Sequence, residues 1–184
     1  IDHIDFDGVK IAHLSGIFPA ISNQAREAFR YFAEQLIQRG IRTTFDPNLR
    51  PALWESQEKM IATINDLAKY GEIVLPGINE GEILMGSRNP EKIADFYLAN
   101  SERTQTVVVK LGPEGAYVKN KAGDSYTVQG FKVEKVVDTV GAGDGFALGL
   151  ITGLIEGLTM AQAVERGNAE IGRASCRERV YSRV

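Results

Sequence analysis

The chain has 184 residues, 43% of them hydrophobic and 24% charged, a composition that suits a globular domain and excludes a globally disordered one. A formal net charge of −3 offers no basic footprint for nucleic acid. One cysteine excludes an intramolecular disulfide framework and a thiol-built zinc site, which fits a reducing cytoplasm, and no apolar run is long enough to suggest a membrane span.

Short β-rich runs alternate with helical periods, which predicts a parallel sheet covered by helices. Residues 9–14 read as a strand ending in a loop at Ser15 and Gly16. Ala25, Phe29, Phe32, Ala33, Leu36 and Ile37 then recur at helical spacing, with Gly40 placed to stop that helix. Residues 41–45 form a second strand that delivers the loop DPNLR, 46–50. Met60, Ile61, Ile64, Leu67 and Ala68 line one face of a further helix, and residues 73–75 are a short buried strand. Asn89 and Pro90 have the chemistry of an N-cap and first-turn proline. Residues 106–111 make a continuous apolar strand, typical of a sheet interior, and residues 115–135 read as a hairpin turning at Gly123. An almost wholly apolar helix runs through Phe146, Leu150 and Leu154, and Thr159 with Gln162 has the spacing of a capping box that opens a last helix.

The stretch from Asp138 to Phe146 reads DTVGAGDGF, a strand-to-helix junction rich in small residues. Such a junction leaves backbone N–H groups free at a helix N-terminus, where an anion is favoured. Phosphoryl transfer needs donors of this kind together with a carboxylate to accept the proton of the attacking hydroxyl, and Asp144 falls in the first turn. A plain helix start with Asp144 serving the dipole is the alternative. The string lacks the GxxxxGK[ST] pattern of P-loop enzymes and comes too late in the chain for a dinucleotide fingerprint.

DTVGAGDGFALG resembles the C-terminal signature of the PfkB, or ribokinase-like, carbohydrate kinases. The resemblance implies a ribokinase-like three-layer α/β/α fold with a mostly parallel central sheet, and ATP with magnesium as cofactors. It implies Asp144 as catalytic base and an anion hole at Gly141, Ala142 and Gly143, with a monovalent cation beside Asp138 and Val140. Asn79 and Glu82 match the N-x-x-E spacing used near magnesium, where an amide and a carboxylate one turn apart share a face and organise the ion's water shell. Whether Glu80 or Glu82 serves there is left open by the sequence. KLGPEGAY, 110–117, resembles the family's strand and turn along the nucleotide, pointing to Lys110, Gly112, Glu114 and Gly115, and Asn168 resembles a residue of the adenine-lining helix.

The run DPNLRPALW, 46–54, with HLSGIF at 13–18 and LPGIN at 75–79, most resembles 2-keto-3-deoxygluconate kinases. Arg50 is then the contact to the substrate carboxylate, a bidentate pairing that tells a sugar acid from a neutral sugar, with Asn48 beside it. Fructokinases carry a similar run, so a neutral-sugar kinase is the alternative, and a non-catalytic sugar-binding regulator is a third reading. Complete family members have further strands, a Gly-Gly motif and a β lid before this point, so residues 1–169 are expected to be a partial kinase domain, inactive or nearly so alone. The resemblance implies a homo-oligomer for the complete enzyme. Residues 170–184, with four arginines from Arg173 to Arg183, depart from the family pattern. The stretch beginning EIGRASCRERV resembles the translation of a DNA-sequencing adapter and is expected to be a non-native tail, in which Cys176 is not a biological thiol.

Overall fold

In the computed structural model, which describes residues 3–131 and 141–176 with side chains as far as 171, the chain falls into two compact units. The first comprises Ile1–Leu111 with Tyr117–Thr127, and the second Gly112–Ala116 with Val128–Val184.

The first unit is built on a sheet of six strands in the order β1-β2-β3-β4-β5-β6. Strands β1 (Ile11–Ser15), β2 (Arg42–Asp46), β3 (Ile73–Val74) and β4 (Thr106–Lys110) run parallel, with Ser15 opposite Asp46 and Val74 opposite Val107. Val107, Val108 and Val109 are fully buried, as a sheet interior covered on both faces requires. β5 (Gly115–Asn120) and β6 (Ser125–Gln129) are joined by a turn in which the Asn120 N–H donates to the Asp124 carbonyl at 3.0 Å. The Lys121 N–H at the end of β5 reaches the Gln105 carbonyl before β4, so β5 runs back against its neighbour.

Helices cover the sheet because their apolar positions recur at helical spacing. A short helix, α1 (Ile17–Ala20), precedes α2 (Asn23–Gln38), whose N-cap Ser22 accepts from the Ala25 N–H. α2 buries Ala25, Phe29, Ala33 and Leu36, and the Phe29 ring meets Phe45 of β2 edge-on at 6.1 Å. α3 (Gln57–Leu67) starts at Ser56 and buries Met60, Ile64 and Leu67. α4 (Ile78–Met85) follows β3 directly, and α5 (Pro90–Ala99) starts on Asn89, whose side chain accepts from the Lys92 N–H at 3.0 Å. The loop 101–105 is fastened by Arg103, which donates to the carbonyls of Ile41 and Tyr70.

The second unit centres on α6 (Ala142–Ile155) packed on α7 (Met160–Cys176). Their backbones approach so closely that a Cβ at Gly149 would lie 2.8 Å from the Arg166 carbonyl oxygen, and one at Gly167 would lie 2.9 Å from the Phe146 ring. The Thr159 N–H and hydroxyl both meet Gln162 Oε1 at 3.0 Å, the expected capping box. α7 extends past residue 169 to Cys176, a run whose Ala, Arg and Glu residues are good helix formers although its apolar period fades. No helix among the described residues is long and apolar enough to cross a membrane.

Candidate active site

Parallel strands deliver their C-terminal ends to one edge of a sheet, the usual place for a ligand crevice in such folds. Here that edge carries Asp46 at the end of β2, Gly77 and α4 just beyond β3, and Lys110 at the end of β4. The Lys110 Nζ lies 2.5 Å from Asp46 Oδ2, with side chains only 14% and 3% exposed. Lys110 is held in register because its N–H donates to the Pro76 carbonyl at 2.8 Å.

Glu80 joins this pair. Its Oε1 accepts from the Leu49 N–H at 2.9 Å and its Oε2 from the Gly77 N–H at 2.7 Å, so one carboxyl fastens the loop after β2 to the start of α4. Desolvation raises the Glu80 carboxyl above the usual carboxylate range; the charge of Lys110 opposes this, while Asp46 pushes the same way and the two N–H donors pull it down, leaving a net rise. The sequence left Glu80 and Glu82 undecided. The structure turns Glu80 inward and leaves Glu82 exposed. Gly77 at the N-cap with Glu at the third helical position is a capping-box spacing, and that signal would have picked out Glu80.

The same edge shapes the 46–50 loop. Asp46 Oδ1 accepts from the Asn48 N–H at 3.1 Å, and Asn48 itself takes a left-handed backbone with φ of 42°, unusual for a residue other than glycine. Its side-chain amide reaches Ser15 Oγ at 3.4 Å. Arg50 is exposed, with its Nη1 donating to the carbonyl of Leu49 at 2.8 Å.

Asn79 and Glu82 share a face of α4, as their spacing requires. Both of their side-chain oxygens accept from a single guanidinium nitrogen, Nη1 of Arg88, at 2.8 Å each. As oxygen donors the two suit a hard ion that keeps its own water, but here Arg88 engages both, and among the described residues no group of three or more His, Cys, Asp or Glu is placed to hold a metal directly.

In the second unit Gly141 caps α6 with φ of 83°, a left-handed conformation that glycine adopts without strain. The N–H groups of Ala142, Gly143 and Asp144 therefore fall in the first turn, where no preceding helical carbonyl is available, and Asp144 is exposed there. This is a cradle suited to an anionic group. Asp138 and Val140 lie outside the described residues. Gly112 and Glu114 are exposed, while Gly115 is buried with φ of 104° and any Cβ there would lie 2.1 Å from the Val128 carbonyl oxygen. Asn168 is only 3% exposed; its Nδ2 donates to the carbonyls of Val128 and Gln129 at 3.3 and 3.1 Å, and its Oδ1 is buried without a protein partner.

The first unit thus gathers acidic, basic and left-handed loop residues at the C-terminal edge of its sheet, and the second opens a helix N-terminus with glycine and sets an aspartate in its first turn, parts that a phosphoryl-transfer enzyme can use. The family model "pfkB family carbohydrate kinase" matches residues 3–178, and the chain belongs to that family. It is 46% identical over 157 residues to a 2-dehydro-3-deoxygluconokinase of Bacillus subtilis (strain 168), covering 85% of this chain and 48% of that protein. A PfkB protein from Polaromonas sp. JS666 matches at 45% identity with a TM-score of 0.82, covering 90% of this chain and 53% of that one. A fructokinase from Vibrio cholerae O395, in its fructose, ADP and calcium ion bound form, matches at 27% identity with a TM-score of 0.85, covering 96% of this chain and 58% of that one. The chain thus spans about half the length of the curated relatives it matches.

Proposed function

We propose that this chain is part of a kinase that transfers the γ-phosphate of ATP to the terminal hydroxyl of 2-keto-3-deoxygluconate, the compound also called 2-dehydro-3-deoxygluconate. The observation that carries the reading is the placement of Arg50. Its guanidinium stands exposed on a loop whose backbone is fixed by Asp46 and Glu80, so it can meet a substrate carboxylate without reorganising the chain. The 46% identical 2-dehydro-3-deoxygluconokinase supports the same substrate.

On this reading Asp144 takes the proton from the attacking hydroxyl as that oxygen forms its bond to the γ-phosphorus. The bond from phosphorus to the β–γ bridging oxygen breaks, and ADP leaves with the electron pair. The N–H groups of the N-cap Gly141 and of Ala142 and Gly143 hold the charge of the transferring group, and a positioned base contributes about 10²–10⁴-fold. Asn79 and Glu82 would hold a magnesium ion through water, and the ion would supply charge neutralisation on the phosphates. Asn48 assists Arg50 at the substrate. Lys110, Gly112, Glu114, Gly115 and Asn168 border the nucleotide, Lys110 and Asn168 through the backbone they fasten. Asp138 and Val140 remain the candidates for a monovalent cation. The enzyme is read as a cytoplasmic homo-oligomer to which residues 1–169 contribute, and residues 170–184 are read as an addition on their departure from the apolar period, although the family match runs to residue 178. The 184-residue chain alone is expected to turn over poorly.

The test is made on an enzyme completed to the length of its relatives. Asp144→Asn should leave ATP binding nearly intact and lower kcat by roughly 10²-fold or more. Arg50→Ala should raise KM for the sugar acid and spare neutral sugars; unchanged KM for the acid would remove the substrate assignment. Preference for fructose over the acid would favour the neutral-sugar reading, to which the likeness to the Vibrio cholerae fructokinase lends support.

A further inference from the structure

The loop that carries Arg50 is fixed at its start by carboxylates, and its far end is fixed by a different device. Trp54, the only tryptophan of the chain, closes the loop after the 3-10 turn Pro51–Leu53 and is 9% exposed. Over its ring lies the guanidinium of Arg26 from the first turns of α2, 5.0 Å from the ring centroid and also only 9% exposed as a residue. The same guanidinium reaches Asn23 Oδ1 at 3.4 Å and Glu55 Oε1, next to Trp54, at 3.5 Å. Glu55 is in turn paired with Lys59 of α3.

Two donors at this seam, Arg26 Nε and Trp54 Nε1, are buried with no protein partner. A site that served packing alone would be filled more cheaply by an aliphatic side chain, since burying a charge and two idle donors is costly. Departures of this kind concentrate where geometry serves function. The side chains between the two anchors, from Arg50 to Leu53, are exposed and make no comparable attachment to the core.

We propose that Arg26 is a positioning residue for substrate discrimination: by clamping Trp54 and Glu55 it sets the end of the 46–54 loop and so the place of the Arg50 guanidinium. Arg26 does not touch the sugar acid. The inference rests on the reading of Arg50 as the carboxylate contact. Its consequence is that an alteration distant in sequence from the loop changes the choice between sugar acid and neutral sugar.

The test has two readouts. In the 184-residue chain Trp54 is the sole tryptophan and can be excited apart from the tyrosines, so Arg26→Met should shift its emission to longer wavelength and increase quenching by iodide. In the completed enzyme the same change should raise KM for 2-keto-3-deoxygluconate by roughly tenfold through misplacement of Arg50, with kcat and the KM for fructose changed less than about twofold. Arg26→Lys, which keeps the charge over the ring but loses the fork to Asn23 and Glu55, should recover part of the discrimination. If Arg50→Ala raises the acid KM and Arg26→Met changes neither emission nor KM, the clamp is refuted while the substrate reading stands. If Arg26→Met weakens acid and fructose alike, Arg26 is only a packing residue. If Arg50→Ala leaves the acid KM unchanged, the substrate reading fails and the inference falls with it.

Discussion

Replacing Glu80 by glutamine tests whether one carboxyl holds the substrate loop to the start of α4. Glu80 accepts two backbone hydrogen bonds through two different oxygens, from Leu49 and from Gly77. Glutamine has one carbonyl oxygen, so one N–H must face an amide NH2 instead, and a partly buried donor left unpaired costs about 1–3 kcal/mol. The pH dependence separates this from generic damage. The folded-state carboxyl is raised above its ordinary value of 4.5, chiefly by desolvation. Between 4.5 and that raised value the folded chain binds more protons than the unfolded one, so this carboxyl's contribution to stability is full below 4.5 and is lost as pH rises through the folded value. Glu80→Gln cannot titrate there. Urea unfolding followed by Trp54 emission across that window should give a stability gap between wild type and variant that is widest at low pH and narrows as pH rises. A gap that stays constant, or that widens with pH as for an ion-paired carboxylate, would refute the reasoning.

Lys110→Met removes the partner of Asp46, which is 3% exposed, and should cost about 3–5 kcal/mol because an uncompensated buried charge remains; a thermal melt with little change would show that Asp46 finds another partner. The same variant also removes the positive charge that opposes the rise of the Glu80 carboxyl, so the pH window described above should move further upward. Gly16→Ala places a Cβ 2.0 Å from the Pro47 carbonyl oxygen and 2.7 Å from Ile64 Cδ1, beneath the 46–50 loop, and should destabilise by about 1–3 kcal/mol or more through overpacking, measured by denaturant midpoint.

The parts of the fold that follow from short-range chemistry were readable in the sequence. The Asn89 cap, the capping box of Thr159 with Gln162, and the amphipathic period of α2 all depend on residues within a turn or two of each other. So does the glycine-rich entry to α6, which puts Asp144 in a first turn. The strand ends shifted by a residue or two: β1 includes Ser15 and β2 includes Asp46, because pairing with the neighbouring strand, rather than local propensity, decides where a strand stops. What the sequence did not disclose are bonds made across the chain. Asp46 and Lys110 are 64 residues apart, and Arg103 meets the Ile41 carbonyl 62 residues away. No periodicity announces such pairs. Arg26 is hidden for the same reason: on α2 it reads as one of many helix-surface arginines until Trp54 is folded beneath it.

These long-range bonds bear on why Arg50 suits recognition of an acid. An arginine side chain is flexible, and ordering it at the moment of binding opposes affinity. The backbone beneath it, by contrast, is already committed. Asp46 holds Asn48 in its left-handed turn and Glu80 holds Leu49, so only the side-chain torsions of Arg50 remain to be fixed. A protonated Glu80 leaves one positive and one negative charge in the buried group it forms with Asp46 and Lys110, whereas an ionised Glu80 adds an uncompensated negative charge beside the loop. That charge would oppose a substrate carboxylate approaching Arg50. Desolvation, which raises the Glu80 carboxyl against the pull of its two N–H donors, therefore works toward the side of that balance on which less negative charge faces an anion near Arg50.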